Sequence, residues 1–435
     1  MVESHHLRAR TSPLDAVVVV PGSKSIANRA LICATLATGT STLRNVPAGD
    51  DTLAMLECVG RLGAGIGTST SSDGSGSDCT VIGVAGVLAP GPITLHAKLA
   101  GTTSRFVTAL CLLGRGEYQI DGFPPLRARP MGPLHDALRQ LGSHVVAAET
   151  WGHLPVSVSG TERTATIQQS VVRLPGDISS QYITALMLIG PYLARGLRME
   201  LTTPLISRPY VSITKAVMAS FGVTDVVVGD RSIEVAPGAY GAQNYMIEPD
   251  ASSASYALAA AAVCGGTVLV PGLGPLALQG DAAFADVLAT MGCVVTRDES
   301  GTRVTSQGAL VGTQINMADL SDLVPTLAIV APFATTPTQI SGVAFIRNKE
   351  SDRLGDLARE LQRCGVRVTE LADGLRIEPS TVVGATLDTH HDHRLAMAFA
   401  ILGLRVEGIV VNDPQVVSKS WPDFWAMLAT LTGPL

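Results

Sequence analysis

The chain has 435 residues, of which 46% are hydrophobic and 4% aromatic, so it is long enough for two or more domains with ample cores. Its formal net charge of −6 argues against a nucleic-acid partner, because such proteins usually carry a strong basic excess. The seven cysteines form no C-x-x-C pair, and no uninterrupted apolar run of about 18 residues occurs. We therefore expect an α/β protein of the cytoplasm with reduced thiols and no membrane partner.

The first chemically informative segment is the turn at 21–29, which reads Pro-Gly-Ser-Lys-Ser-Ile-Ala-Asn-Arg. The apolar residues 17–20 before it predict a buried strand, and those after it predict a helix that begins near Ser25. The N–H groups and dipole of a helix N-terminus attract anions, and Lys24 and Arg29 would add charged donors. A capped helix with solvated basic residues is the alternative. The glycine and lysine spacing excludes a Walker A loop.

An amphipathic helix that ends at a glycine, in most copies followed by a β-branched strand, recurs along the chain. A glycine suits the left-handed position that closes a helix. The spacing of roughly 70 to 80 residues suits a βαβ-type folding unit, although this helix ending is common in α/β proteins. The glycines are Gly63, Gly142, Gly222, Gly292, Gly365 and Gly433. This recurrence predicts two domains of three units each.

Two positions are candidate crossings between the domains. Pro249 interrupts extended structure just before an Ala- and Ser-rich helix, and the turn at 21–22 is the other candidate. The Ser- and Gly-rich stretch 67–78 predicts an exposed hairpin loop. The predicted domains are 1–21 plus 249–435, and 22–248.

Further turns place polar side chains where a predicted strand meets a helix. Gly101 opens one helix and would let a ligand approach the backbone, and Arg129 lies just before another. Ser179, Ser180 and Gln181 open a third helix with hydroxyl and amide donors that suit a phosphate or a polyol. These turns therefore predict a site for an anionic, hydroxylated ligand.

The C-terminal half is dense in charged residues. If a helix begins near Glu350, then Glu350 and Arg353 share a face, and a carboxylate stands beside an anion-binding guanidinium. Surface ion pairing is the alternative. Lys349, Arg394 and Lys419 add further cations. We favour a functional cleft at the end of a strand.

Acids and histidines at helix starts leave several alternatives open. For Asp250 we favour an N-cap, whereas capping and chemistry are equally open for Asp322. The His-His-Asp-His segment at 390–393 invites a metal hypothesis. Adjacent histidines alternate in direction and no second cluster accompanies them, so we expect no metal site there. Asp392 and Arg394 are the preferred functional residues of that segment.

Taken in chain order, these segments resemble the enolpyruvyl transferase family, and within it the enzymes whose acceptor is shikimate 3-phosphate. The resemblance runs from about residue 21 to 424. It implies an α/β (α+β) fold, a two-domain inside-out α/β barrel with three βαβαββ units in each domain and the active site in the interdomain cleft. The matching segments are Pro-Gly-Ser-Lys-Ser, Ala-Gly-Thr, Ser-Ser-Gln, Asp-Ala-Ser-Ser-Ala-Ser, Lys-Glu-Ser-Asp-Arg-Leu and Asp-His-Arg.

The same resemblance implies which residues bind the two substrates. Those implied for shikimate 3-phosphate are Lys24, Ser25, Arg29, Ser179, Ser180, Gln181, Ser207, Tyr210, Asp322 and Lys349. Those implied for phosphoenolpyruvate are Lys24, Gly101, Arg129, Gln181, Arg353, Arg394 and Lys419. Asp322, Glu350 and Lys24 are implied as catalytic residues.

The implied reaction joins the 5-hydroxyl of shikimate 3-phosphate to C2 of phosphoenolpyruvate and then eliminates phosphate. Asp322 would take the hydroxyl proton, Glu350 would protonate the methylene carbon, and Lys24 would interact with the charges of both ligands. The resemblance implies neither a metal nor an organic cofactor, and we expect a monomer. The resemblance also implies a glyphosate target, although Leu99 and Phe106 leave the glyphosate sensitivity of this chain open.

Four positions depart from the family's common residues. Leu99 replaces an Asn, Phe106 a Pro and Pro249 a Gly, while Phe345 stands at a position that is usually polar. Phe345 keeps open a paralogue that acts on a different cyclic hydroxylated acceptor. A non-catalytic anion-binding protein is a third hypothesis, which two acids among so many cations disfavour.

Overall fold

The computed structural model describes residues 3–70, 77–160 and 171–432. The chain divides into a first unit of Met1–Pro21 and Glu248–Leu435, and a second unit of Gly22–Ile247. Glu248 groups with the first unit, whereas the sequence analysis assigned it to the second. Its Oε1 accepts hydrogen bonds from the backbone N–H groups of Leu278 and Gln279, both at 3.1 Å.

Helices and strands alternate through the described ranges, and none of the helices there is long and apolar enough to cross a membrane. The helices are α1 (Lys24–Leu36), α2 (Asp50–Arg61), α3 (Gly101–Leu110), α4 (Pro124–Arg127), α5 (Gly132–Gln140), α6 (Ser180–Ile189), α7 (Arg208–Ser220), α8 (Ala251–Cys264), α9 (Phe284–Thr290), α10 (Val324–Val330), α11 (Gly355–Arg363), α12 (His393–Gly403) and α13 (Phe424–Thr432).

The strands of the N-terminal segment and the second unit are β1 (Ser4–His6), β2 (Leu14–Val17), β3 (Thr40–Val46), β4 (Gly65–Thr70), β5 (Ser77–Ile82), β6 (Ile93–His96), β7 (Gly116–Asp121), β8 (His144–Ala147), β9 (Val156–Gly160), β10 (Val171–Leu174), β11 (Leu197–Leu201), β12 (Val226–Val228), β13 (Ser232–Val235) and β14 (Asn244–Met246). Those that follow are β15 (Gly266–Pro271), β16 (Val294–Asp298), β17 (Gly301–Ser306), β18 (Gln314–Asn316), β19 (Thr338–Ser341), β20 (Val368–Leu371), β21 (Gly374–Ile377), β22 (Thr386–Leu387) and β23 (Val410–Asn412). In the predicted loop 67–78, residues 71–76 lie outside the described residues.

The second unit repeats a βαβαββ pattern. In two of the repeats, two parallel strands are linked through a helix, and the later one pairs antiparallel with the second strand of a following hairpin. Two sheets have the orders β6-β7-β9-β8 and β10-β11-β13-β12. The sheet β14-β3-β5-β4 takes its parallel edge strand from the end of the unit, so the repeat that opens the unit also closes it.

The first unit follows the same pattern across a long insertion. Its sheets have the orders β16-β17-β15-β2, β18-β19-β21-β20 and β1-β23-β22. Leu14 of β2 pairs in parallel with Gly266 of β15, although the whole second unit separates them in the chain. The second unit is therefore an insertion between β2 and the helix α8 of the same repeat.

The helices α1, α3 and α6 of the second unit and α8, α10 and α12 of the first are buried along nearly their whole lengths. The sequence of α8 explains this burial, because it has no polar face and such a helix is stable only inside a core. It reads Ala-Ser-Ser-Ala-Ser-Tyr-Ala-Leu-Ala-Ala-Ala-Ala-Val-Cys. In each unit such helices lie inside and the sheets lie outside. This inside-out arrangement is the one that the resemblance implies.

Five of the predicted glycine helix ends lie in the described ranges, and each is confirmed. The φ angles are 109° at Gly63, 87° at Gly142, 94° at Gly222, 104° at Gly292 and 76° at Gly365. The strands β4, β8, β12, β16 and β20 follow them. The sixth, Gly433, lies outside the described residues.

The prediction of a buried strand over 17–20 is wrong. The strand is β2, Leu14–Val17, at the edge of its sheet. Val17 is 64% exposed and Val19 is 60% exposed, whereas Val18 and Val20 are buried. An unbroken apolar run therefore alternates between core and solvent, because only one face of this edge segment has a core to cover.

Gly22, in the first turn of the second unit, lies against the backbone of Asn45. A Cβ on Gly22 would overlap the Asn45 carbonyl oxygen and lie 3.0 Å from its carbonyl carbon. Asn45 has little freedom to move, since its φ is 58° and its Nδ2 donates to the Ile247 carbonyl at 2.9 Å.

We expect Gly22→Ala to lower the free energy of unfolding by about 1–3 kcal/mol, the usual cost of overpacking. Urea unfolding measures this as a lower midpoint. Gly238→Ala is the matched control, because no atom lies within 4 Å of its added Cβ. Equal midpoints for the wild type and Gly22→Ala would contradict the expectation.

Candidate active site

The predicted site residues of the second unit lie at or near the N-terminal turns of its helices. Lys24 begins α1, Gly101 begins α3 and Ser180 begins α6. Ser207 immediately precedes α7 and has a φ of 53°. Arg129 lies in the turn between α4 and α5. Helix N-termini present backbone N–H groups, so the unit brings anion-binding groups into related positions.

Side-chain hydrogen bonds join several of these helix starts. Lys24 Nζ donates to Oδ2 of the buried Asp51, in the first turn of α2, at 2.8 Å. Thr103 Oγ1 donates to the Asp51 carbonyl at 3.1 Å and joins α3 to α2. Gln181 Nε2 donates to Thr102 Oγ1 at 3.2 Å and joins α6 to α3. The position of Lys24 thus depends on a buried carboxylate in α2, the next helix along the chain.

The helix after the opening turn begins at Lys24, one residue before the predicted Ser25. Ser23 is its N-cap, and the Ser23 Oγ accepts a hydrogen bond from the Ile26 N–H at 3.4 Å. Capping and anion binding are therefore compatible, because the cap uses neither Lys24 nor Ser25.

Arg29 is buried and joins α1 to α6 and α7. Its Nε donates to Thr214 Oγ1 at 2.9 Å, and its Nη2 donates to Thr184 Oγ1 at 3.3 Å and to the Tyr210 carbonyl at 3.2 Å. Burial lowers the pKa of Arg29 to about 10. Arg29 and Ser25 share a face as predicted, but the guanidinium donates to the Ser25 carbonyl, at 2.7 Å. Arg29 therefore has a clear role in packing these helices together.

Two guanidinium groups lie against the start of α3. Arg105 Nη1 donates to the Gly101 carbonyl at 2.8 Å, and its Nη2 donates to the Pro130 carbonyl at 3.2 Å. A Cβ on Gly101 would lie 2.7 Å from Arg129 Nη1 and 2.8 Å from Arg105 Nη1. A larger residue would displace both guanidinium groups, so the glycine lets the two cations lie against a helix N-terminus, and this arrangement suits an anion.

In the first unit, one buried guanidinium binds three carboxylates. Arg353 is 1% exposed, and its Nε donates to Asp392 Oδ2 at 2.6 Å. Its Nη1 donates to Asp322 Oδ1 at 3.0 Å, and its Nη2 donates to Glu350 Oε2 at 2.8 Å. The two predicted catalytic acids therefore share one cation.

Further cations contact the same acids. Arg394 Nη2 donates to Asp322 Oδ2 at 2.7 Å, and Lys349 Nζ lies 3.8 Å from Asp322 Oδ1. Lys419 Nζ donates to Glu350 Oε1 at 3.0 Å. We call this group the acid–cation cluster; its members are Asp322, Lys349, Glu350, Arg353, Asp392, Arg394 and Lys419.

The structure separates the two acids for which capping was considered. Asp250 caps α8, and its Oδ1 accepts from the Ser253 N–H at 2.7 Å. Leu323 is the N-cap residue of α10, and Asp322 lies in the 3₁₀ turn that precedes it. Asp322 therefore belongs to the acid–cation cluster, while the capping interpretation of Asp250 is confirmed.

The predicted helix from Glu350 is wrong, although the predicted contact is present. The helix α11 begins at Gly355. Asp352 Oδ1 accepts from the N–H groups of Leu354 at 3.1 Å and Gly355 at 3.0 Å, so the chain turns before the helix begins. Glu350 and Arg353 meet across this turn.

The surrounding charges set the pKa values of Asp322 and Arg353. Burial alone would raise the pKa of Asp322, but Arg394, Lys349 and Arg353 outweigh burial and hold that pKa well below its usual range. Burial would lower the pKa of Arg353, but the carboxylates raise it, Asp392 most of all. Asp322 is therefore ionised, the state that a general base requires.

Sequence reasoning missed two buried acids, Asp51 and Asp281. Asp281 accepts a hydrogen bond from Ser252 Oγ at the start of α8. Burial, and then the charge of Asp322, raise the pKa of Asp281 to about 7. Both acids lie in the first turn of a helical segment, so the rule that selected Asp322 would also have found them.

The segment 390–393 leads into α12. Asp392 is the N-cap, and its Oδ1 accepts from the Arg394 N–H at 2.9 Å. Within the described ranges, no group of three or more His, Cys, Asp or Glu side chains could hold a metal ion.

We expect stability to depend on the titration of Asp281. Below about pH 4 both the folded and the unfolded chain hold its proton. Between about pH 4 and 7 only the folded chain holds it, so the stability that this group contributes is lost as the pH rises towards 7. From pH 5 to pH 8 the loss is about 3 kcal/mol.

Urea unfolding of the wild type and Asp281→Asn at both pH values measures this loss. The midpoint of the wild type should fall further than that of the variant, whose side chain does not titrate. Asp423→Asn, at an exposed carboxylate, serves as the control. A parallel pH dependence of the wild type and Asp281→Asn would contradict the expectation.

Comparison with known proteins covers nearly the whole chain. The family model for EPSP synthase (3-phosphoshikimate 1-carboxyvinyltransferase) matches residues 9–428. The 3-phosphoshikimate 1-carboxyvinyltransferase of Trichormus variabilis is 41% identical over 426 residues, which are 98% of each chain. That of Shewanella baltica is 38% identical over 426 residues, covering 95% of this chain and 96% of the relative.

Solved structures agree with the sequence comparison. An EPSP synthase from Acinetobacter baumannii superposes with a TM-score of 0.80 at 26% identity, over 98% of this chain and 97% of that one. The enolpyruvyl transferase NikO from Streptomyces tendae, at 18% identity, shares the fold with a TM-score of 0.77 over 99% and 98% of the two chains. The chain is a transferase that belongs to the EPSP synthase (3-phosphoshikimate 1-carboxyvinyltransferase) family.

Proposed function

We propose that this protein transfers the enolpyruvyl group of phosphoenolpyruvate to the 5-hydroxyl of shikimate 3-phosphate. The products are 5-enolpyruvylshikimate 3-phosphate and phosphate, on the shikimate pathway to chorismate and the aromatic amino acids. The observation that carries the proposal is the binding of Asp322 and Glu350 by the one guanidinium of Arg353. Membership of the family supports it.

Addition of a hydroxyl to the enol double bond needs one group to remove a proton and another to supply one. We assign removal of the hydroxyl proton to Asp322 and protonation of the methylene carbon to Glu350. In the elimination of phosphate from the tetrahedral intermediate, the two groups exchange roles: Glu350 removes a proton and Asp322 supplies one. Arg394 and Lys419, each bonded to one of the acids, supply positive charge for the phosphate and carboxylate of the substrate.

Anion binding also explains how Asp322 becomes a useful base. Without a ligand, Arg394, Lys349 and Arg353 hold its pKa well below the usual range, so it is ionised but weakly basic. A bound phosphate or carboxylate competes for the same cations and reduces their attraction for Asp322. The pKa of Asp322 then rises towards the range in which it accepts a proton.

The substrate sets implied by the resemblance are part of this proposal. Lys24 serves both substrates, and its position beside Asp51 supports a role as a fixed positive charge. Gly101 and Arg129 bind phosphoenolpyruvate, and Ser180 binds shikimate 3-phosphate. We also propose that the protein acts as a cytoplasmic monomer without a metal or organic cofactor, because the enolpyruvyl transfer requires only acid–base groups and fixed charges.

A second candidate is a paralogue whose acceptor is a different cyclic hydroxylated compound. Lys349, which we assign to the acceptor, lies over the ring of Phe345, with 5.9 Å between its Nζ and the ring centroid. An aromatic ring beside the bound acceptor favours an acceptor whose adjoining group is less polar.

The assay for both candidates is phosphate release from phosphoenolpyruvate in the presence of shikimate 3-phosphate. We expect release by the wild type, and a loss of turnover of at least about 10²-fold in Glu350→Gln, which cannot supply the proton. Binding of shikimate 3-phosphate by Glu350→Gln should change little, as measured by calorimetry. Glu234→Gln, at an exposed carboxylate of β13, is the matched control and should turn over normally.

The outcomes separate the hypotheses. No release by the wild type with shikimate 3-phosphate would contradict the proposed function, and release with another hydroxylated acceptor would support the paralogue. Loss of shikimate 3-phosphate binding in Glu350→Gln would contradict the catalytic assignment.

A second substitution tests the phosphoenolpyruvate assignment. In Gly101→Ala the added Cβ displaces Arg129 and Arg105, because it would lie within 3 Å of both. Displacement of these guanidinium groups predicts a rise of about tenfold in the KM for phosphoenolpyruvate, which corresponds to about 1.4 kcal/mol of binding free energy. Gly241→Ala, whose Cβ meets no atom within 4 Å, is the control. An unchanged KM would remove Gly101 from the binding set.

A further inference from the structure

Residues 389–392 form a turn whose two central residues, both histidines, are in the left-handed region. The φ angles are 49° at His390 and 57° at His391, and the Asp392 N–H closes the turn by donating to the Thr389 carbonyl at 2.8 Å. Consecutive positive φ angles are typical of a type I′ turn, in which Gly, Asn and Asp predominate. Histidines at both positions therefore strain the backbone, and other contacts must hold the turn.

A carboxylate contacts each of the two imidazoles. His390 Nε2 donates to Oε1 of the fully buried Glu360 at 2.9 Å. The Oε2 of Glu360 accepts from the Asp388 N–H at 3.1 Å, so the same carboxylate also fixes the chain before the turn. His391 Nδ1 donates to Asp413 Oδ2 at 3.0 Å, and Asp413 itself has a φ of 52°. Hydrogen bonds to carboxylates thus hold both strained residues of the turn.

The turn positions Asp392 within the acid–cation cluster. The Asp392 carboxylate is fully buried, accepts from Arg353 Nε at 2.6 Å and caps α12 through the Arg394 N–H at 2.9 Å. Arg353 also binds Glu350 and Asp322, so a shift of Asp392 would move the guanidinium relative to both acids.

We propose that His390 and His391 are positioning residues for the enolpyruvyl transfer. Their contacts with Glu360 and Asp413 hold the left-handed turn that places Asp392, and Asp392 in turn places Arg353. Neither imidazole contacts a substrate in this proposal. The inference rests on the proposed function, because it concerns the geometry of the acids that carry the transfer.

The test compares two double variants that lose the same imidazole contacts. In His390→Ala/His391→Ala the new residues still disfavour a positive φ, whereas in His390→Gly/His391→Asn they adopt it readily. We expect kcat for phosphate release to fall about tenfold to a hundredfold in the Ala variant, because small misplacements of catalytic groups are costly. The KM for shikimate 3-phosphate should change by less than about threefold, and the Gly/Asn variant should recover kcat to within about threefold of the wild type.

Equal kcat values for the wild type and the Ala variant would overturn the proposal, because the contacts would then be dispensable. Equal losses in both variants would also overturn it, because the imidazoles would then act otherwise than through the backbone. If the Ala double variant does not fold, His391→Ala and His391→Asn give the same comparison at a side chain that is 84% exposed. Absence of release by the wild type contradicts the proposed function, whereas release at one common rate by all of these proteins contradicts the positioning role alone.

Discussion

The site of the first unit depends on the burial of the Arg353 guanidinium. A charged group with 1% exposure is unfavourable unless opposite charges and hydrogen bonds replace the water that it has lost. Asp392, Asp322 and Glu350 provide these partners, and each is held at a hydrogen-bonding distance by the same planar group. The buried guanidinium of Arg353 therefore also fixes Asp322 and Glu350 in place before any substrate binds.

The inside-out repeats explain how such groups come together. The helices α8, α10 and α12 are apolar all round and pack together inside the unit, so their polar residues are confined to their ends. Asp322 lies in the 3₁₀ turn before α10, and Asp392 and Arg394 lie at the start of α12. The second unit follows the same rule, with Lys24, Gly101 and Ser180 at the starts of its buried helices. The residues that we propose for the site are concentrated at helix N-termini because that is where these buried elements present polar groups.

Local patterns account for the successes of sequence reasoning. A glycine after an amphipathic helix predicts a left-handed residue, and the φ angles at Gly63 and Gly365 agree, because this rule concerns only neighbouring residues. The helix predicted from Glu350 failed, since the Asp352 side chain takes the N–H groups that a helix would have used. The position of Asp281 in the first turn of a helical segment was readable from the sequence, but its raised pKa was not, because that depends on burial and on Asp322, a residue distant in the sequence.

Sequence patterns alone predicted the glycine-ended repeat, most of the helix starts and the charged residues that we propose for the site. They also determined the family, because the order of short motifs is retained along the chain. Only the tertiary structure decided which acid each cation serves, that Arg29 packs three helices together, and that a strained histidine turn carries Asp392. The physical reason is that periodicity and capping act over a few residues, whereas pairing, desolvation and pKa depend on groups that folding brings together from distant parts of the chain.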